Sequence, residues 1–349
     1  MSIFAVLKPN LVVTDVEEIF ITVAQNYGHI AYLFTAKNVD FTAKKIYGLT
    51  LKNGEIVHEW FEFPDIIQNR LAVKAEDKET YLKLAEIIPF TSNRVGTKKE
   101  VDIKLRKIAE LQEFMLDVQA CRQVEHIHKA LAENNKIILK PLSGNQAKGI
   151  YTLEKFDDDV VVRILSSSEK IHKHELEKFF KENIENKGYA ISPFFNSCTE
   201  NNHNTVFRMQ INRGENGKWQ MIKFFPYINI NASVDITNGM QGALITLRES
   251  MFLKQYYPTA HKLIETKIKK LFQVFPQAFQ KQYAWRLDSL GLDLGIDQQG
   301  NVVIFEVNAG PGIGFMAYPV AKAQVKYYEW LKEHASMPCK NFFLPINLR

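Results

Sequence analysis

A carboxylate and a carboxamide lie on one side of an apolar strand near the C-terminal end of the chain. Residues 302–312 read VVIFEVNAGPG, and residues 302–305 are β-branched or aromatic and follow the turn signal DQQGN. Side chains alternate along a strand, so Glu306 and Asn308 face the same way. A buried ionised carboxylate is costly without a positive partner, and Mg²⁺ takes such oxygen ligands beside substrate phosphates. The pattern favours a divalent metal site, and the competing interpretation is a strand end whose polar residues cap the next turn.

The preceding strand supplies another oxygen ligand. The segment LGLDLGIDQQGNVVIFEVN predicts a hairpin that turns at residues 298–300, which brings Asp293 to the level of Glu306 and Asn308. Oxygen ligands that converge at one end of a hairpin suit one or two Mg²⁺ ions bridging nucleotide phosphates. Asp297 is better explained as a turn residue.

A lysine and a glycine-containing loop form a second group. Lys140 ends the apolar strand KIILKP, and the loop SGNQAKG follows at residues 143–149. Glycines at positions 144 and 149 let the backbone approach a phosphate closely, so that free N–H groups can hold the anion beside the Lys140 charge. The loop matches neither the P-loop nor the dinucleotide-binding pattern, and a plain hairpin turn explains it equally well.

Arg208 stands on a strand, VFRMQINR, whose other residues are largely apolar. Burying an arginine without a partner is expensive. A phosphate or a carboxylate is its natural partner, because the guanidinium forms two parallel hydrogen bonds with either group. A structural ion pair within the protein is the alternative.

Composition sets the broad class. The chain has 349 residues, of which 46% are hydrophobic and 24% charged, which is ordinary for a globular protein of two or three domains. A net charge of +5 is too small to imply a nucleic-acid partner, and no apolar stretch is long enough to span a membrane. The N-terminus lacks the pattern of a signal peptide, and the three cysteines fit no metal or disulfide pattern. We therefore expect a cytoplasmic protein.

Hydrophobic periodicity divides the chain. Residues 1–92 predict short strands and turns, including a hairpin with Asn53-Gly54 at its tip, and residues 98–134 predict helix. From Lys136 onward the chain predicts alternating strands and helices, with two long hairpins at residues 205–228 and 290–308.

The order of these groups resembles that of the ATP-grasp superfamily, in particular the YheC/YheD-type proteins of spore-forming bacteria. The segments that carry the resemblance are ILKPLSGNQAKGI, FRMQINRGENGKWQ, ITNGMQG and LGLDLGIDQQGNVVIFEVNAGPG, together with EWFEFPDIIQNR, which is similar to a segment of that family ending in a Pro-Asp…Asn-Arg motif. The resemblance covers nearly the whole chain, and the LGLDLGIDQQGNVVIFEVNAGPG segment is the most specific.

The resemblance implies an α+β protein in which two α+β subdomains grip a nucleotide after a β-rich N-terminal domain. The corresponding boundaries are 1–92 for the N-terminal domain, 93–135 for a helical connection, 136–196 for the ATP-grasp lid, and 197–349 for the C-terminal subdomain with the Mg²⁺ site.

The resemblance also assigns roles to residues. Lys140 would contact ATP, the loop with Ser143, Gly144, Lys148 and Gly149 would close over the phosphates, and the backbone of Ser192, Pro193 and Phe194 would meet the adenine edge. Arg208 would steady the phosphates or the acyl-phosphate transition state, and Asp293, Glu306 and Asn308 would hold Mg²⁺.

The implied reaction is ATP-dependent ligation of a carboxylate to an amine through an acyl phosphate, with small-molecule or peptide substrates and a link to sporulation. A nucleotide-binding module without turnover, acting with a paralogue or as a homo-oligomer, and a kinase are the alternatives. The sequence departs from the family at Val206, where an acid usually binds ribose, in the absence of an Arg shortly before Thr237, and at residues 239–242, where GMQG replaces a double glycine.

Overall fold

The computed structural model describes residues 1–70, 73–142, 149–164, 167–231, 235–237 and 242–335. Within these ranges the chain forms three sheets, each with helices packed against it. The mixture of helices and sheets agrees with the α+β class expected from the sequence. A helix with the length and apolar character needed to cross a membrane is absent from the described ranges.

The N-terminal sheet has a parallel centre. Its elements, with the two helices beside them, are β1 (Ile3–Leu7), α1 (Asp15–Asn26), β2 (Ile30–Phe34), β3 (Val39–Asp40), β4 (Lys45–Lys52), β5 (Glu55–Glu62), β6 (Ile66–Asn69), α2 (Lys78–Ile87) and β7 (Phe90–Thr91). The strand order is β3-β4-β2-β1-β6-β7, with β5 paired to β4. Strands β2, β1, β6 and β7 run parallel, so their carboxyl ends share one edge.

The helices α1 and α2 correct the expectation of only strands and turns in this region. The sequence of α1 is rich in β-branched and aromatic residues, which favour strands. However, its buried residues include Glu17, Phe20, Ile21 and Ala24, which follow helical spacing. A capping box also starts the helix, with Glu17 accepting the Thr14 N–H at 3.0 Å. Packing of this face therefore outweighs intrinsic propensity.

The second sheet, here called the lid sheet, contains most of the strands of residues 136–196, the segment expected as the ATP-grasp lid. The elements along this stretch of the chain are α3 (Lys98–Arg106), β8 (Gln119–Cys121), α4 (Val124–Glu133), β9 (Lys136–Pro141), β10 (Tyr151–Phe156), β11 (Asp159–Ile164), β12 (Ser167–His172), α5 (Leu176–Asn183) and β13 (Tyr189–Pro193). Of these, α3 packs on the third sheet instead of the lid sheet. The strand order is β12-β11-β10-β9-β13-β8. Ile137 and Leu139 of β9 face the helices α4 and α5, so Ile138 and Lys140 face the opposite side.

The predicted helix over residues 98–134 is interrupted. It ends as α3 at Arg106, continues as a 3-10 helix at Ala109–Phe114, and gives way to the strand β8 before α4 begins. Strand β8 pairs with β13 at the edge of the lid sheet. That pairing is a long-range contact, which local periodicity cannot report.

The third sheet carries the two predicted hairpins. The elements are β14 (Asn204–Arg213), β15 (Trp219–Asn229), β16 (Leu244–Ile245), α6 (Glu249–Tyr256), α7 (His261–Gln280), β17 (Ser289–Ile296), β18 (Val302–Ala309) and α8 (Ala317–His334). The strand order is β16-β15-β14-β17-β18. One face of this sheet packs on α7, while α8 returns to the core of the N-terminal sheet. The domain boundaries expected from the sequence stay predictions.

The chain that leaves β7 is fastened to the C-terminal sheet. Its hydrogen bonds are Ser92 N–H to Asp288 Oδ1 (2.7 Å), Asn93 Nδ2 to the Arg286 carbonyl (2.9 Å), Trp285 Nε1 to the Arg94 carbonyl (2.9 Å) and Tyr283 Oη to the Val95 carbonyl (2.8 Å). Asp288 is 4% exposed, and burial raises its pKa to about 6 although the Ser92 N–H lowers it. Segment 92–95 is thus held along one end of the C-terminal sheet.

Asp288→Asn should change how stability depends on pH. Because the pKa of Asp288 is higher in the folded than in the unfolded state, its contribution is complete below about pH 4 and is lost as the pH rises through about 6. Asparagine does not titrate. The free energy of unfolding of the variant minus that of wild type should therefore rise by roughly 3 kcal/mol between pH 4 and pH 7. Urea unfolding at both pH values measures this gain, and a difference that is the same at both would contradict it.

Candidate active site

A cleft of about 1060 Å³ lies between the lid sheet, the C-terminal sheet and the segment that precedes α3. The lid contributes Ile138, Lys140 and Phe194, and the C-terminal sheet contributes Arg208 and its neighbours on β17 and β18. Of the residues singled out from the sequence, this cleft brings together Lys140, Pro193, Phe194, Arg208, Asp293, Glu306 and Asn308.

Strand register aligns the oxygen ligands. Asp293 pairs with Glu306 across β17 and β18, and Gly291 pairs with Asn308. A bulge after Asp293 shifts the register of the rest of the hairpin. This is the level at which the predicted hairpin places the three side chains, while their role as metal ligands stays a prediction.

Arg208 and Asp293 form a two-point ion pair. They face each other on the neighbouring strands β14 and β17, with Arg208 Nε donating to Asp293 Oδ1 at 2.6 Å and Nη2 donating to Oδ2 at 3.2 Å. Burial lowers the pKa of Arg208, but the Asp293 carboxylate reverses this effect and the net pKa is raised. A Cβ on Gly291 would come within 3.2 Å of Arg208 Nη1, so glycine leaves room for the guanidinium. The structural ion pair considered from the sequence is therefore present.

The same oxygen atoms fit a hard divalent cation. Asn308 donates through Nδ2 to Asp293 Oδ2 at 3.3 Å, and its side-chain oxygen accepts no hydrogen bond from the described residues. Within that same set, Glu306 forms one ion pair, with Lys98, whose Nζ lies 3.5 Å from Oε1. Two carboxylates and one carboxamide at one level form the donor set that Mg²⁺ prefers, although Arg208 already shares Asp293.

Lys140 lies on the opposite wall of the cleft. Its Nζ is 5.0 Å from the centre of the Phe305 ring, and it forms no ion pair with a described residue. Burial lowers the pKa of Lys140 to about 8, with repulsion from Lys98 acting in the same direction and Glu306 opposing it. Lys140 is therefore close to the charges at the end of β18.

The predicted adenine-edge residues lie at the end of β13. Pro193 and Phe194 line the cleft, whereas Ser192 is buried in the sheet. The Phe194 N–H already donates to the Lys136 carbonyl at 3.0 Å, so this amide is engaged within the lid. The Phe194 ring packs against Lys136, whose Nζ lies 4.3 Å from its centre.

The predicted phosphate loop is described only at its end. Ser143, Gly144 and Lys148 lie outside the described residues. Gly149 has a positive φ of 73°, and its carbonyl accepts the Tyr189 hydroxyl at 2.9 Å. The roles given to this loop stay predictions.

Three cleft residues escaped the sequence analysis: Arg94, Lys98 and Asp235. Lys98 is only the first residue of the predicted helix over 98–134, yet it lies against Glu306. Asp235 reaches the lid, where it accepts Lys136 Nζ at 2.7 Å and Thr152 Oγ1 at 2.6 Å. It brings an acid to the cleft, whereas Val206 stands where the family's ribose acid was expected. No local pattern links these residues, because each contact joins segments far apart in the chain.

Lys98→Met should raise the pKa of Lys140 toward its usual value. The change removes the nearby positive charge while leaving Lys140 at the same position in the cleft. Titration of ¹³Cε-labelled lysines by NMR measures the pKa, with the Lys140 signal assigned from Lys140→Met. Lys99→Met, at an exposed position beside Lys98, is the matched control. An equal Lys140 pKa in wild type and Lys98→Met would show that the two charges do not interact.

Known proteins resemble the chain in sequence. Residues 87–336 match the family model described as YheC/D like ATP-grasp. The endospore coat-associated protein YheD of Bacillus subtilis (strain 168) is 23% identical over 315 residues, which cover 86% of this chain and 68% of that protein.

Solved structures share the fold. A RiPP-associated ATP-grasp ligase from Chryseobacterium gregarium, in complex with ADP and a leader and core peptide, superposes with a TM-score of 0.54 at 9% identity over 99% of this chain and 100% of that chain. N5-carboxyaminoimidazole synthetase from Staphylococcus aureus, complexed with ADP, gives 0.51 at 11% identity over 99% and 78%. The expected ATP-grasp fold is thereby confirmed. Since the family model matches well over half of this chain, the chain belongs to the YheC/D-like ATP-grasp family.

Proposed function

We propose that this protein is an ATP-dependent carboxylate–amine ligase that forms an amide or peptide bond through an acyl phosphate. The supporting observation is that one cleft collects Lys140 from the lid and Arg208, Asp293, Glu306 and Asn308 from the C-terminal sheet. A cation on one wall and oxygen ligands on the other suit the phosphates and the Mg²⁺ of a bound nucleotide. Membership of the ATP-grasp family gives the same nucleotide, ATP.

In this proposal, the residues of the cleft bind and orient the nucleotide and its Mg²⁺. Asp293, Glu306 and Asn308 would hold Mg²⁺, which supplies neutralisation of phosphate charge when bound. Lys140 would donate to a phosphate oxygen from the lid side. Arg208 keeps Asp293 in place through Nε and Nη2, and its Nη1 forms no hydrogen bond with the described residues. That atom is available for an oxygen that gains charge during transfer.

Two steps make up the reaction. An oxygen of the substrate carboxylate attacks the γ-phosphorus of ATP, the bond to the β-phosphate oxygen breaks, and ADP leaves with that electron pair. The amine nitrogen then attacks the acyl carbon, the carbon–oxygen bond to phosphate breaks, and the amine releases a proton to water. The protein contributes positioning and charge neutralisation rather than a covalent bond of its own.

A peptide is one substrate class to test beside small acids and amines. The Chryseobacterium gregarium ligase of the same fold is seen with a leader and core peptide. The YheD relative is an endospore coat-associated protein, so sporulating cells are the setting in which a substrate should be sought.

A nucleotide-binding module without turnover is the second candidate. Val206 stands on the cleft wall without an acidic side chain, and both oxygens of Asp293 are engaged by Arg208. ADP release from Mg²⁺–ATP, measured with and without mixed amino acids and peptides, separates the two functions. Release stimulated by an amine together with an acid supports the ligase. Tight ATP binding with no release supports the module.

Glu306→Gln should abolish Mg²⁺-dependent ADP release while the fold remains intact. The substitution keeps the shape of the side chain but removes the charge that a divalent cation requires. Glu215→Gln, at an exposed hairpin turn outside the cleft, is the matched control and should release ADP like wild type. Full activity of Glu306→Gln would remove Glu306 from the metal site.

Arg208→Lys should slow the chemical step more than it weakens ATP binding. A single ammonium cannot hold both Asp293 oxygens and also meet a phosphate, as the planar guanidinium can. The added charge of the transition state makes that loss larger than the loss in the ground state. Single-turnover rates and nucleotide affinities measure the two effects. Equal losses would make Arg208 a ground-state clamp, and no loss would make it a purely structural residue.

A further inference from the structure

Strand β18 runs along the cleft and sets the order of the groups that line it. Near its middle, Phe305 lies beside Lys140, and further along come Glu306 and Asn308. Beyond the strand, a Cβ on Gly310 would lie 3.8 Å from the Cβ of Ser92, which follows β7. In the proposed ligase, the adenine lies near Phe194 at the start of this path and the phosphates lie at Glu306 and Asn308. The acid that receives the phosphate then belongs beyond Asn308, toward the N-terminal sheet.

Segment 92–98 forms the wall at that far end. It is held at Ser92 by Asp288 and at Val95 by Tyr283, and Lys98 at its end lies 3.5 Å from Glu306. Arg94 is bracketed by these contacts and lines the cleft. It follows the carboxyl end of the parallel strand β7, and crevices outside such strand ends commonly bind ligands in α/β sheets.

Arg94 is a charged residue of this cleft that has no ionic partner among the described residues. Most other charged side chains that line it have an ionic partner: Lys98 pairs with Glu306, Asp102 with Arg106, Arg208 with Asp293, and Asp235 with Lys136. Among the described residues, only Lys140 and Arg94 line the cleft without an ion pair, and Lys140 is assigned to the nucleotide. Arg94 is half-buried, and its side chain makes no hydrogen bond with those residues either. An anion that enters the cleft would stabilise a half-buried guanidinium that has no other partner.

We infer that Arg94 binds a second carboxylate of the acid substrate, one that is not activated. The inference rests on the proposed ligase function for the order of groups along the cleft. The substrates would then be acids with two carboxylates, such as an acidic amino acid or a peptide with an acidic side chain.

The chemistry separates the two carboxylates. The activated one loses its charge when it becomes an acyl phosphate, and it lies near Arg208 and the metal ligands. A permanently charged arginine at a distance from that point suits a group that keeps its charge through both steps. Two hydrogen bonds from the planar guanidinium would also fix the orientation of the acid.

Calorimetric titration with defined acids tests the inference. The probes are L-glutamate, glutarate and the peptide Ac-Ala-Glu-Ala, each beside its counterpart with one carboxylate converted to an amide. The full-length protein is titrated with and without Mg²⁺ and a non-hydrolysable ATP analogue. At least one probe should bind wild type, and its amide counterpart should bind about tenfold or more weakly. L-Glutamate and the peptide distinguish a free amino acid from a peptide substrate.

Variants locate the second carboxylate. Arg94→Met should weaken the dicarboxylate about tenfold or more, Arg94→Lys should weaken it less, and Arg122→Met, at an exposed site outside the cleft, should leave it unchanged. Affinity for the ATP analogue should be the same in all of them, and thermal unfolding should confirm that each is folded. Equal dicarboxylate affinity in wild type and Arg94→Met, or no preference of wild type for any dicarboxylate over its amide, would overturn the inference.

Different experimental results would contradict the Arg94 subsite and the ligase function. Binding that depends on Arg94 without any ADP release would keep the subsite and reject the ligase. ADP release stimulated by acids with one carboxylate, and unaffected by Arg94→Met, would keep the ligase and reject the subsite.

Discussion

The ion pair between Arg208 and Asp293 is the contact on which the cleft depends. It joins β14 to β17 at the level where β17 pairs with β18, so it aligns Asp293 with Glu306 and Asn308. The register of these strands is fixed on the other face, where Phe207, Met209 and Leu292 are fully buried. A slip of one residue would turn those side chains toward the cleft and the charges into the core. Apolar packing on one face of the sheet thus fixes the polar geometry on the other.

The charges of the cleft are largely balanced within the protein. Arg208 neutralises Asp293 and Lys98 lies against Glu306, so neither carboxylate stands alone in a partly buried place. In the proposed ligase, a metal ion brings positive charge to these oxygens, and the phosphates offer new partners to the two cations. Such an exchange conserves the number of charge pairs, so binding need not leave a buried charge without a partner. The pKa of Lys140, lowered to about 8 by burial and by Lys98, belongs to the same set of interacting charges.

Three separate parts of the chain must meet to form this cleft. The lid brings Lys140 on β9, and the C-terminal sheet brings the oxygen ligands on one hairpin. The segment after β7 brings Arg94 and Lys98, and its position depends on buried hydrogen bonds to Asp288 and its neighbours. Helix α8 follows the turn after β18 and packs into the core of the N-terminal sheet, so it anchors the end of β18 that carries Asn308.

The sequence by itself determined the features that depend on near neighbours. The alternation in VVIFEVN puts Glu306 and Asn308 on one side, and the DQQGN turn brings Asp293 level with them, because strand pleat and turn geometry are local. Its motif order also identified the family. Only the tertiary structure decided that Arg208 pairs with Asp293, that Lys98 and Arg94 enter the cleft, and that α1, α2 and β8 form where strands or helix were expected. Those outcomes depend on packing between segments far apart in the chain, where the free energy of burial outweighs local preference.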